Sequence, residues 1–396
     1  MTFIFSLFYC AVTYILFYRQ CVGYLGMYNS DMAPYIATIN GEATEYNFTY
    51  PLMFKLSEWL SKLCGTPKAL AIVVTVLNLL TFLTLVYYLF GFFKKTFSER
   101  KKIFWILAAN LSALSLMFVS MLYIPGYPTI LGHSFSRRCV GVFSPNPYWN
   151  ATFLATRPFT VVNFFSAVKL LESYEKEAEL RNYLIFGISL FLTTITKPSY
   201  TLVAVVTFIF IFVFRLIKAK GKNFKETVLF GLTFLPAGLD CIYQYRGIFT
   251  GTNVYGEETG IGLAFGKAWH TATDSIFFSV ILAGAFALWI LLMNIKRLKD
   301  CTWFRYAWEL YAVGLLMFAF LYEKGFRLFH CNFAWGYVHA MLFVFMAGFM
   351  MLVENTKEFK NNKFRVVTGW LAYLAHLVCG INFFLYLMAG GDFFWY

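Results

Sequence analysis

Charge is the scarcest property of this sequence: Asp, Glu, Lys and Arg make up 13% of its 396 residues, where soluble domains carry roughly a quarter. An ordinary water-soluble domain is excluded. The apolar runs lack period-two alternation, which excludes the strands of a membrane β-barrel. No basic segment precedes the apolar stretch Met1–Tyr18 and no small-x-small site follows it, so it reads as a retained first span rather than a cleaved signal peptide. The eight cysteines include no C-x-x-C pair, and the histidines have no paired spacing, which argues against a zinc or redox centre. Scattered core thiols are the default, although Cys21 and Cys64 bracket a long loop and could bridge. Inverted internal repeats, the mark of many secondary transporters, are missing too.

What is abundant is apolar sequence. Hydrophobic residues make up 60% of the chain, in runs of about the 20 residues a helix needs to cross roughly 30 Å of hydrocarbon. The expectation is an all-α, polytopic membrane protein, a single integral domain over residues 1–396 with about eleven transmembrane helices. The net charge of +13 collects between spans, at Lys94–Lys102, Lys218–Lys225, Lys296–Lys299 and Lys357–Arg365. Retention on the cytoplasmic face accounts for these clusters without a nucleic-acid partner, and places the N-terminus inside. One segment decides the topology. Tyr183–Ile217 would be over 50 Å long as a single helix and is broken at Lys197-Pro198, so it reads as a hairpin of two helices with Lys197 at the turn.

The first extracytoplasmic loop spans residues 19–68 and holds Asn29-Ser30-Asp31-Met32-Ala33-Pro34-Tyr35, then Tyr50-Pro51-Leu52. Loops of that length are usually functional or disordered, and this one is rich in aromatics. Asp31 is either its chemical group or a plain surface carboxylate or helix cap. The same face collects His133, Arg137, Arg138, Arg157, Lys197, Asp240, Lys324, Arg327 and His330. Cations outnumber anions there, which suits an anionic group at the lipid–water boundary, such as a lipid-linked phosphate. Each has a plainer reading: Arg157 and Arg327 as snorkelling side chains, His330 as an interfacial ring, and Asp240 as the counter-charge of Lys197. Lys197 is harder to set aside, because freed backbone at an interrupted helix is tolerated only inside protein or beside a cavity. Asn47-Phe48-Thr49 and Asn150-Ala151-Thr152 match the glycosylation sequon.

The layout of first span, long outer loop with an early Asp, and later helices closed by short basic loops resembles that of the GT-C-type membrane glycosyltransferases. So do the local runs Ser144-Pro145-Asn146-Pro147 with Asn150, Arg157-Pro158-Phe159, Lys197-Pro198-Ser199 and Asn332-Phe333-Ala334-Trp335-Gly336-Tyr337, in that order. The resemblance implies a bacterial plasma-membrane enzyme taking sugar from a polyprenyl-phosphate donor in the bilayer, for an envelope glycan, lipid or protein. It implies Asp31 as catalytic base, with Arg157, Lys197, Arg327, His330, His133 and Asp240 as residues that bind donor phosphate or substrate. Two departures are plain: Asp31 has no adjacent acid, and no acid lies between Pro125 and Arg157. A divalent cation, Mg²⁺ or Mn²⁺, is therefore left open, since it would want several carboxylate oxygens. A transporter or flippase of a lipid-linked or anionic substrate, and a non-catalytic envelope-assembly protein, are the alternatives.

Overall fold

The computed structural model describes the chain apart from residues 24–25, 128, 131, 135–141, 177, 250–254 and 393–396, and the side chain of residue 361. It is an α-helical bundle, embedded in a membrane by its long apolar helices. In chain order the helices are α1 (Thr2–Val22), α2 (Met32–Ile39), α3 (Leu52–Cys64), α4 (Thr66–Thr96), α5 (Lys102–Phe118), α6 (Ala151–Ser173) and α7 (Leu180–Thr196). Then come α8 (Ser199–Lys218), α9 (Phe224–Leu232), α10 (Leu235–Phe249), α11 (Ile276–Met293), α12 (Thr302–Phe320), α13 (Ala334–Lys357) and α14 (Phe359–Met388). Among the described residues there are also three short 3₁₀ helices, Trp269–Thr271, Ile295–Leu298 and Gly325–His330, and two short antiparallel ribbons: β1 (Thr129–Ile130) with β2 (His133–Ser134), and β3 (Ile261–Leu263) with β4 (Leu321–Glu323).

Six described helices are long and apolar enough to cross a bilayer, and seven if α9 and α10, bent by 50°, form one span. About eleven spans are expected from the sequence; of the other helices, α5 and α7 are short, and α6 and α12 fall outside the long apolar set. The long first loop is itself largely helical, because α2 and α3 lie within it and α3 meets α4 at Gly65. A φ of 81° there is a conformation that only glycine adopts freely. Cys21 and Cys64 are free thiols.

The third span, expected over Ile103–Ile124, stops being helical at Phe118. Beyond it the chain is buried and extended, so its amides need partners from other elements. Ser120 N–H donates to the His376 carbonyl (3.2 Å) and Leu122 N–H to that of Leu282 (2.9 Å). Asn146 Nδ2 donates to the carbonyls of Leu116 (2.9 Å) and Val119 (2.8 Å).

At Lys197-Pro198 the chain folds back. Phe186 and Phe208, each eleven residues from Lys197, bring their ring centroids within 5.5 Å, and the Thr194 and Thr201 hydroxyls bond at 2.8 Å. A continuous helix would hold those rings about 33 Å apart. The basic clusters accordingly gather at one end of the bundle. Lys357 Nζ reaches the Thr96 carbonyl (2.8 Å), Arg297 pairs with Glu354 (3.0 Å), and Arg215 and Arg305 line one groove. Asp31, Lys197 and Arg327 lie towards the opposite end. The core is centred on α13, of which residues 334–353 are all buried, and on α6.

Candidate functional site

The site is built on the start of α6. Asn150 is its N-cap, and its side-chain Oδ1 accepts from the Phe153 N–H (2.9 Å), as a capping residue does. The same amide serves two charged groups. Its Nδ2 donates to Asp31 Oδ2 (2.7 Å), and its Oδ1 accepts from Lys197 Nζ (3.2 Å). Asp31 and Lys197 are thus joined through one neutral side chain and form no direct ion pair.

Asp31 sits just before α2, its N–H donating to the Trp149 carbonyl (3.3 Å). Tyr35, one turn into α2, donates to Asp31 Oδ2 (3.3 Å) and contacts the Thr152 hydroxyl (3.2 Å). Asp31 keeps some exposed surface while its carboxylate is ringed by protein. Burial pushes that carboxyl up to about 6, against the opposing pull of Lys197 and the hydrogen bonds from Tyr35 and Asn150. A carboxylate so placed takes up a proton readily near neutral pH, which suits a general base.

Lys197 is buried, 5% exposed, at the α7–α8 turn. Its ammonium also donates to the Thr152 hydroxyl (3.0 Å) and stands 4.8 Å from the centroid of the Trp335 ring. It opens onto a cavity of about 150 Å³, whose polar end also holds Arg327, Glu323, Asn332 and Tyr50. The apolar walls, among them Leu202, Tyr245 and Ile248, reach the bundle surface, where Leu202 and Tyr245 are exposed. Glu323 is held in place by the β3–β4 ribbon, in register with Ile261. Its Oε2 accepts from Arg327 Nε (3.0 Å) and Asn332 Nδ2 (2.5 Å).

The expected site residues therefore divide. Asp31 and Lys197 come together through Asn150, and Lys197, not Asp31, lines the cavity, where Arg327 joins it with its charge engaged by Glu323. His330 packs against the rings of Tyr46 and Phe326, each 5.3 Å away, and does not line the cavity. Arg157 is wholly buried elsewhere in the protein, donating to Asn146 Oδ1 (2.8 Å) with its other terminal nitrogen on the Met117 sulfur, and it does not line the cavity. His133 pairs with Asp274 (3.5 Å) on the β1–β2 ribbon, apart from the cluster. Asp240 accepts from Gln244 (2.5 Å) and makes no ion pair with Lys197, which removes it as the counter-charge. Arg137 and Arg138 lie outside the described residues.

Sequence reasoning missed Glu323, and met Tyr35 only in the first-loop stretch, Trp335 only in a family-like run, Thr152 only in the sequon, and Asn150 only in a family-like run and the sequon, none of them with a role. Asn150 and Thr152 are buried and committed to Asp31, Lys197 and Tyr35, so in the folded protein this sequon belongs to the site. Glu323 had a signal, its four-residue spacing from Arg327. Among the described residues, no three His, Cys, Asp or Glu side chains converge as metal ligands. The site's two carboxylates are both engaged, Asp31 Oδ2 by Tyr35 and Asn150 and Glu323 Oε2 by Arg327 and Asn332, so the donor set does not suit Mg²⁺ or Mn²⁺.

No family model, no curated protein and no solved structure matches the chain. The functional reading therefore rests on this geometry and on the family-like runs placed within it. Of those runs, Asn332 binds Glu323, Trp335 lies beneath Lys197, and Gly336 packs α13 closely against Ser199 and Val203 of α8.

Proposed function

We propose that this chain is a GT-C-type membrane glycosyltransferase of the bacterial plasma membrane, N-terminus inside, with about eleven spans and its site facing outward. It transfers a sugar from a polyprenyl-phosphate donor to an envelope glycan, lipid or protein. One observation carries the reading: a partly accessible carboxylate, Asp31, is joined through the Asn150 amide to the buried Lys197 ammonium, and Lys197 lines a cavity whose apolar walls reach the bundle surface.

In this mechanism Asp31 takes the proton of the acceptor hydroxyl as its oxygen attacks the anomeric carbon. The bond from that carbon to the donor phosphate oxygen breaks, and the phosphate leaves with the electron pair. Lys197 meets the negative charge that develops on the phosphate, the interaction that strengthens in the transition state. Arg327, already neutralised by Glu323, orients rather than supplies net charge. Arg157 braces Asn146 and the turn that presents Asn150. The polyprenyl chain would follow Leu202, Tyr245 and Ile248 into the bilayer.

Extraction of lipid-linked sugars from cells with and without the gene tests the proposal. Accumulation of one donor on deletion is the expected result, and an unchanged lipid-linked pool refutes it. A flippase is the second reading, favoured by buried polar side chains that continue from Lys197 into the middle of the bundle. There the Tyr200 hydroxyl donates to Asn163 Oδ1 (3.0 Å), and Asn163 Nδ2 to the Ser189 hydroxyl (3.1 Å). Asp31→Asn separates the two, since it stops transfer but leaves a flippase working.

A further inference from the structure

The α8–α12 seam that bounds the Lys197 cavity carries a second opening. The cavity touches Leu202, Val203 and Met317; one turn further along α8, from Thr207, and at Leu316 on α12, a groove of about 1010 Å³ begins and runs to the basic end. Thr207 and Ile211 are buried in its floor. Phe210, Phe214 and Leu316 flank it, 66%, 67% and 57% exposed. From Thr207 to Lys218 is about 17 Å of helix, close to half of a hydrocarbon core of roughly 30 Å. The groove is as long as one leaflet is thick.

Its basic end is charged unevenly. Four cations, Arg215, Lys218, Lys222 and Arg305, face three carboxylates, Glu175, Glu226 and Glu309, an excess of one positive charge. Arg215 is held by Glu175 (3.6 Å) and the Tyr174 ring (5.3 Å), and Arg305 by Glu309 (3.6 Å). Lys218 and Lys222 form no ion pair among the described residues. A lipid-facing aromatic channel one leaflet long, ending in two unengaged lysines, matches an acyl chain carrying a single negative headgroup.

We propose that this groove binds one anionic glycerophospholipid of the adjoining leaflet, its chain along Phe210, Phe214 and Leu316 and its phosphate at Lys218 and Lys222. The site is separate from the Lys197 cavity and does not depend on the sugar-transfer reading. The test reconstitutes the full chain in bilayers of equal phosphatidylglycerol and phosphatidylcholine, releases it gently, and counts retained lipid by native mass spectrometry. Phosphatidylglycerol should be retained over phosphatidylcholine by on the order of 30-fold, the preference two lysines confer at an anionic headgroup. Lys218→Gln with Lys222→Gln should bring the two lipids near parity at unchanged thermal stability. Leu316→Trp, which leaves both lysines in place and narrows the groove, should reduce retention of either lipid. Equal retention of both lipids by the parent protein, or an undiminished preference in the double glutamine variant, overturns the proposal. So does unchanged retention after Leu316→Trp.

Discussion

Lys197→Met is the substitution that best probes the site, because it removes the ammonium and keeps most of the side-chain volume. Two hydrogen bonds from a charged donor disappear, at 3.2 and 3.0 Å, worth about 1.5–3 kcal/mol each, together with a ring contact worth about 2. Opposing that loss is the several kcal/mol it costs to bury an ammonium, which the variant no longer incurs. The groups left behind are neutral, and Asp31 keeps its bonds from Asn150 and Tyr35. Net stability should therefore change by only about 1–2 kcal/mol, whereas loss of a buried ion-pair partner costs about 3–5. Binding of a short-chain prenyl phosphate to the detergent-solubilised protein should weaken by roughly 10- to 100-fold, the value of one charge-assisted hydrogen bond. Thermal unfolding and the binding isotherm are read on the same preparation. Parent affinity in a stably folded variant would refute the phosphate role of Lys197.

Asp31→Asn keeps size and hydrogen bonding but removes the base, so transfer should fall by about 10²–10⁴ while prenyl phosphate binding holds; turnover at the parent rate would make Asp31 a structural carboxylate. Transfer should decline as pH falls through about 6, where the carboxyl takes up its proton. Because this acid is raised above its unfolded value of about 3.9, its contribution to stability is fully present below that value and is lost as pH rises through about 6. Asn150→Ala removes a hydrogen bond that favours the ionised form, so the midpoint of the pH–rate profile should move upward, and a fixed midpoint would separate Asn150 from the carboxylate. Gly380→Ala drives a methyl into the Phe118 carbonyl and the Ser120 amide, and should destabilise by about 1–3 kcal/mol or more; an unchanged melting temperature would show that this crossing can open.

Period and charge made much of the architecture legible. The apolar runs located the helices, and the break at Lys197-Pro198 predicted a reversal that Phe186 and Phe208 display. The premature end of α5 was not legible, because extended backbone there is satisfied by His376 and Leu282, about 160 to 260 residues distant in sequence. The site was half legible for a similar reason. Asp31 stands out as an acid early in a long, aromatic-rich loop and Lys197 as a cation at a proline break in an apolar run, but nothing local says that Asn150 links them, since an N-cap and a sequon look the same in a sequence. Arg157 and Arg327 stood out equally. What they bind, Asn146 in one case and Glu323 in the other, is decided by tertiary contacts.

The deep burial of α6 also bears on how the protein is made. Seventeen of its 23 residues are shielded by other helices, and it falls outside the long apolar set, so the translocation machinery meets a segment poorly suited to lipid on its own. Synthesis order eases part of that burden. Asn146 and Met117, the partners of Arg157, leave the ribosome first, so the guanidinium can be satisfied as it emerges. The partners of Asn163, at Phe186, Ser189 and Tyr200, arrive later. Until α7 and α8 have been made, α6 has reason to wait beside the insertion channel, so biogenesis of the amino-terminal half depends on the hairpin that follows it.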